Sequence, residues 1–199
     1  MAGSNGKGTA IPAAYPPPVD SPDEFIKRGL DPEDEIIEVG VAIVGGGPAG
    51  LACAIRLGQI LEAEPALAEG LGEVPIAVLE KGKSLGSHSL SGAIVHPAVL
   101  GELLPGEDPV AALGAHGVVQ KESVFLLPGA TRAIRLPTPP PFHNKGNLVF
   151  SLSQLVRKLG DRAEALGAYI LPETDAQTLL VEDGGVRGVR AGAKGLDRD

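Results

Sequence analysis

Six consecutive residues, Gly45, Gly46, Gly47, Pro48, Ala49 and Gly50, set three glycines at the spacing GxGxxG. That spacing suits one task, holding the pyrophosphate of a dinucleotide against peptide N–H groups. The first glycine allows a tight turn, the second lets a phosphate approach the backbone, and the third lets a helix pack closely on a strand. The attraction comes from free N–H groups and the positive end of the helix dipole, so no basic side chain is needed. Glycine-rich turns also serve as ordinary strand-to-helix connections, and the surrounding residues decide between the two uses.

The first deciding residue is Glu80, followed by Lys81 and Gly82. An acid closing the second strand of such a unit is placed to accept hydrogen bonds from ribose hydroxyls, normally about 20 residues after the glycines. Here the spacing is longer, and a loop accounts for the excess; the alternative is a plain surface acid. Other polar residues carry less. His88, His96, His116 and His143 lack metal-ligand spacing and read as loop residues. Neither a GxSxG elbow nor an HExxH helix occurs, so a lipase-type nucleophile and a zincin are unsupported. The one cysteine, Cys53, cannot by itself hold zinc or an iron–sulfur cluster, and it reads as a buried structural thiol.

These residues need elements to position them. Glu38 to Val44 ends in the apolar run Val41, Ala42, Ile43 and Val44, a strand suited to a parallel sheet. Leu51, Ile55, Gly58 and then Leu61 or Glu62 recur at helical spacing, so the glycines join a strand to a helix that ends before Pro65. Ala66 to Pro75 reads as a loop and Ile76 to Leu79 as the second strand, completing a βαβ unit. Val118 to Leu127 and Ala133 to Leu136 read as two antiparallel strands joined through Pro128, Gly129 and Ala130. A second helix starts at Ser151 or Ser153, with Ser151 and Gln154 spaced as a capping box, and buries Leu155, Val156, Leu159, Ala163 and Leu166. Gly167 stops it. Ala168 to Leu171 is a further sheet strand, and Thr178 to Glu182 with Val186 to Val189 forms a hairpin about Asp183, Gly184 and Gly185.

The totals set the bounds. At 199 residues and 43% hydrophobic content the chain holds one domain or most of one. A net charge of -8 without a Lys/Arg stripe disfavours nucleic acid. Residues 1–35, rich in Pro and Gly, read as a mobile tail, with an amphipathic piece around Phe25 to Leu30 able to dock. The start shows neither a secretory h-region nor an Arg-rich transit peptide, which points to a cytoplasmic location. No run reaches the ~18 apolar residues of a membrane span.

The segments VAIVGGGPAGLACAIRL, AVLEKG, LGSHSLSGAIVHP, HNKGNLVFSLSQLVRKL and AEALGAYI together resemble the N-terminal part of the electron transfer flavoprotein:ubiquinone oxidoreductase family, from about Val41 onward. GGGPAGL is common to many flavoproteins, whereas the LSGA and NxGN segments are much more particular to this family. The resemblance implies a Rossmann-like FAD/NAD(P)-binding α/β fold of the glutathione-reductase type, incomplete, with inserted antiparallel strands. It implies FAD as cofactor, with Gly45 to Leu51 and Glu80, followed by Lys81, on its ADP half and Ser91 with Gly92 near the flavin. No residue is assigned to catalysis, because the flavin carries the redox chemistry.

By the same resemblance, electrons pass from reduced electron transfer flavoprotein to ubiquinone. A 4Fe-4S cluster lies in a C-terminal part beyond Asp199, as do the later glycines of the quinone site and a second FAD-contacting motif, so the chain is expected to be a fragment, inactive alone. Residues 36–199 are the start of the FAD-binding domain, with a quinone-side, membrane-facing insertion over about 87–148. Within Ser87 to about Asp108, Leu90, Ile94, Val95, Val99, Leu100, Leu103 and Leu104 suit either a peripheral contact, at the inner face of the cell membrane, or an ordinary buried helix. The chain departs from the family at His96, Lys145 and Leu148, where an acid, a histidine and an aromatic are usual. Geranylgeranyl-reductase or aromatic-hydroxylase flavoproteins share many features but often carry an Arg where Leu152 stands. A third possibility is a partial module without activity that holds FAD weakly or not at all.

Overall fold

The protein is described from a computed structural model that covers residues 25–29, 35–128 and 132–192. Its first strand, β1 (Ile26–Arg28), belongs to a small unit with Gln177–Ala191, and Glu35–Ala176 builds a second unit that carries the glycine run.

In the second unit, β2 (Val41–Val44) leads through the glycines into α1 (Pro48–Ala63). Pro48 at the first helical position needs no N–H partner and its fixed φ suits the first turn. Leu51, Ala54, Ile55, Gly58 and Leu61 are the buried side of α1. Cys53, expected to be buried, is exposed: two residues from Leu51, it lies about 200° around the helix from it. The stretch read as a loop from Ala66 instead starts inside a short helix, α2 (Pro65–Glu69). Proline again opens it, alanine and leucine favour it, and Ala68 and Leu71 pack on the core.

All four residues of β3 (Ile76–Leu79) are buried. The insertion follows, with β4 (Ala93–Val95), α3 (Pro97–Leu103), α4 (Pro109–Leu113), β5 (Gly117–Val118), β6 (Val124–Leu126), β7 (Ile134–Leu136) and β8 (Leu148–Phe150). β8 lies between β4 and β5, antiparallel to both, while β6 and β7 pair separately with Phe125 opposite Arg135. The run read as one strand from Val118 to Leu127 is therefore two strands in different sheets. The break falls at polar residues: Glu122 turns out of the ladder to accept the Asn144 N–H at 2.6 Å.

Ser151 caps α5 (Leu152–Ala165) in position only. Its hydroxyl lies 3.2 Å from the Ser153 hydroxyl and bonds no helical N–H, so the expected capping box is not formed. Leu155, Val156, Leu159, Gly160 and Ala163 are buried. Gly167, at φ +83°, ends the helix in the left-handed conformation that glycine adopts without strain. β9 (Ala168–Leu171) then completes a parallel sheet ordered β2-β3-β9, with Ile76 between Val41 and Ala168. Among the described residues the central strand is β3, and β2 and β9 are the edges. α1 and α5 pack on each other and on this sheet, enclosing a core that includes Leu51, Ile55, Val78, Val156 and Leu159.

In the first unit, β10 (Ala176–Glu182) and β11 (Gly185–Ala191) are neighbours, as the sequence suggests. Asp183 at φ +50° and Gly184 at φ +75° match the type I′ turn that joins twisted strands tightly. β1 pairs parallel with β10, Ile26 opposite Leu179. Ile26–Arg28, within the segment expected to be a mobile tail, is thus held by backbone pairing. The rest of that tail up to residue 34, apart from Phe25 and Gly29, lies outside the described residues, as do 129–131 and 193–199.

Candidate functional site

A cleft of about 350 Å³ opens at the carboxyl ends of β2 and β3, where parallel sheets place their ligands. Val44 to Gly47 and Leu79 to Lys81 form one side; Gly86, His88, Ser89 and the turn Thr174 to Ala176 after β9 complete it.

The glycine turn is fixed by three hydrogen bonds. Gly45 N–H bonds Leu79 carbonyl at 2.8 Å, Gly46 N–H bonds the Glu80 carboxylate Oε2 at 3.0 Å, and Leu51 N–H makes the first helical bond to Gly47 carbonyl at 3.0 Å. Gly45 sits at φ +102°, which an L side chain rarely adopts. A Cβ on Gly50 would lie 2.0 Å from the Gly45 carbonyl oxygen, so helix and turn meet only because none is there. A Cβ on Gly47 would meet nothing within 4 Å: the backbone there is open to a ligand. The helix's first N–H groups have no intrahelical acceptor, which leaves a donor-rich, electropositive end beside the cleft. These features fit a pyrophosphate.

Glu80 is no plain surface acid. Its side chain is 14% exposed, and its second oxygen, Oε1, accepts the Gly82 N–H at 2.7 Å. The Glu80 main chain is held as well, its N–H by the Leu171 carbonyl and its carbonyl by the Thr174 N–H, both at 2.9 Å. Each carboxylate oxygen uses one lone pair on the protein and keeps capacity for a hydroxyl donor. His88 Nδ1 is 3.9 Å from Oε1 across the mouth of the cleft.

The other anticipated positions fall in three groups. Lys81 lines the cleft and is exposed. Pro48 and Ala49 are exposed on the first turn of α1, whereas Leu51 is wholly buried and supports the turn from beneath. Ser91 and Gly92 are exposed and do not line the cleft; Ser89 of the same loop does. Thr174 to Ala176 belong to no motif in the sequence. Their signal is their place, since the chain leaving a third parallel strand emerges at the same sheet edge as the other two. Among the described residues, no three His, Cys, Asp or Glu side chains form a group able to hold a metal ion.

Farther along, His96 Nδ1 accepts the Ala98 N–H at 3.3 Å and caps α3. Leu148 belongs to the core. The apolar residues after Ser87 divide: Leu100 and Leu104 are buried, while Leu90, Ile94 and Val99 are 83%, 51% and 59% exposed. No helix among the described residues is long and apolar enough to cross a membrane.

Strand, glycine turn, helix, parallel strand and closing acid define the class: a Rossmann-like α/β fold of the FAD/NAD(P)-binding kind, with antiparallel strands inserted. A solved geranylgeranyl bacteriochlorophyll reductase-like protein from Thermoplasma acidophilum shares the fold, at TM-score 0.51 and 20% identity over 83% of this chain and 35% of that one. No protein-family model matches. By sequence, the chain is related to the electron transfer flavoprotein-ubiquinone oxidoreductases. It is 39% identical over 174 residues to the mitochondrial protein of that name from Dictyostelium discoideum, covering 87% of this chain and 27% of that protein. The Pseudomonas aeruginosa protein of that name is 39% identical over 171 residues, covering 84% and 30%. The chain spans less than a third of the length of these relatives.

Proposed function

We propose that the cleft holds the ADP half of FAD and that the chain is the FAD-binding opening of an oxidoreductase that passes electrons from reduced electron transfer flavoprotein to ubiquinone. The observation that carries this reading is the joint placement of the glycine turn and Glu80 at one cleft, in a chain related by sequence to oxidoreductases of that name. Gly45, Gly47 and the first N–H groups of α1 would face the pyrophosphate, and Glu80 the adenosine ribose. Lys81 would lie at the rim. Ser89 is better placed in this structure than Ser91 or Gly92 to approach the cofactor. FAD would supply the redox chemistry, and the chain's part is to bind and orient it.

Electron transfer flavoprotein and ubiquinone are the proposed partners, and a 4Fe-4S cluster is assigned to residues outside this chain. Leu90, Ile94 and Val99 are the proposed peripheral membrane contact, which sets the protein at a membrane face. Titration of the full chain with FAD, followed by flavin fluorescence, tests the central claim. Saturable binding that is lost in Gly50→Val supports it. Absence of binding by the unsubstituted chain, with its fold intact by circular dichroism, overturns it.

A further inference from the structure

Gly46 occupies a position that the GxGxxG pattern leaves free, yet a side chain there would have to displace Leu85. A Cβ there would lie 2.5 Å from Leu85 Cδ2 and 3.0 Å from Glu80 Oε2. On the other side, a Cβ on Gly160 of α5 would lie 2.1 Å from Leu85 Cδ1. The isobutyl group of Leu85 therefore fills the space between two glycines 114 residues apart in sequence, one in the phosphate turn and one on the buried face of α5. The adjacent Gly86 sits at φ +78°, and a Cβ on it would come 2.7 Å from the Ser153 carbonyl oxygen. Leu85 and Gly86 thus seat their loop against α5, at Gly160 and at Ser153. The same loop carries His88 and Ser89 to the cleft.

We propose that Leu85 is a positioning residue for the cofactor site, a wedge held by α5 that fixes the Gly46 peptide and thereby the turn offered to the pyrophosphate. The cofactor consequence rests on the FAD reading above; the mechanical claim does not. Burial explains the arrangement: the Gly46 N–H already gives its hydrogen bond to Glu80, and packing from behind restricts the peptide to the orientation in which its neighbours face the cleft. Removing the wedge leaves a gap that the rigid α5 cannot close, so the turn gains freedom.

The test uses the full chain and four variants: Leu85→Ala, Gly160→Ala, the two combined, and Leu113→Ala as a comparison that removes an equally large buried side chain from α4. Amide hydrogen exchange at Gly46, whose N–H is held by Glu80, measured by NMR without FAD, should quicken at least about tenfold in Leu85→Ala. In Leu113→Ala it should stay as in the unsubstituted chain. Gly160→Ala should displace Leu85 and quicken the same amide, and the combined variant, whose new methyl partly refills the gap, should recover part of the protection. FAD affinity should fall by about tenfold in each single wedge variant and be regained in part by the pair. Unchanged exchange at Gly46 in Leu85→Ala, or equal acceleration in Leu113→Ala, overturns the wedge. An unsubstituted chain that binds no FAD overturns the proposed function, while the exchange result still decides the role of Leu85.

Discussion

The cleft and the β6–β7 ribbon illustrate two ways of spending apolar residues. At the cleft, β3 is buried along its length, and the turn beside it is fixed by bonds from Gly45, Gly46 and Gly82. In the ribbon, Phe125, Leu126, Ile134 and Leu136 are exposed to 56%, 52%, 37% and 39% on a two-stranded pairing. A two-stranded ribbon alone is at best marginally stable in water. The first region is defined by contacts made within the unit that carries it, whereas the second keeps its apolar surface available.

That contrast can be broken in order of expected effect. Leu159→Ala, 2% exposed in α5, should cost about 2–5 kcal/mol in urea unfolding, while Phe125→Ala in β6 should stay within about 0.5 kcal/mol. A comparable loss from both would show the ribbon to be as tightly packed as the core. Gly50→Val should weaken FAD binding by about 100-fold or more, because the new side chain meets the Gly45 carbonyl; near-normal affinity in a fluorescence titration would mean the turn is not the binding element. Glu80→Ala should lower FAD affinity by about tenfold, and stability by about 1–3 kcal/mol, through loss of two charge-assisted bonds. The smallest stability change, within about 0.5 kcal/mol, is expected for Leu90→Asp with Val99→Asp. If the proposed contact holds, that pair should nevertheless abolish flotation with phosphatidylcholine–phosphatidylglycerol vesicles; undiminished flotation would show that Leu90 and Val99 make no membrane contact. Substituting Leu100 and Leu104 could not test this, because both are core residues.

The three strands of the parallel sheet, both long helices and the glycine turn were legible because their signals are local: apolar runs of four, helical spacing from Leu51 to Leu61, and Gly167 past the end of α5, whereas β1, β4 and β8, three residues each, gave no comparable run. The misreadings have equally specific causes. Leu100 and Leu104 carry the same apolar character as Leu90 and Val99, and only the packing of α3 and α4 separates core from surface. Cys53 has small neighbours that suggest burial, but its angle around α1 turns it to solvent. β5 and β6 merged because Glu122 answers to Asn144, a partner 22 residues away. Glu80 was found from its place at a strand end, whereas Thr174 to Ala176 join the site only through the parallel order of three strands. Leu85 gave no signal at all, since a leucine in a serine- and glycine-rich loop discloses neither of the glycines it touches.

The edge position of β2 bears on how the protein behaves in bulk solution. Its four residues are Val, Ala, Ile and Val, with Ala42 and Val44 exposed, and it pairs on one side only among the described residues. Such an edge has none of the charged residues, prolines or bulges that usually blunt strand-to-strand association. As far as the described residues go, protection is left to long-range repulsion between chains of net charge -8, and at ~1 M salt that repulsion reaches only ~3 Å. Colloidal stability should therefore decline as ionic strength rises, and light scattering from a concentrated sample would grow on adding sodium chloride, the opposite of ordinary salting-in.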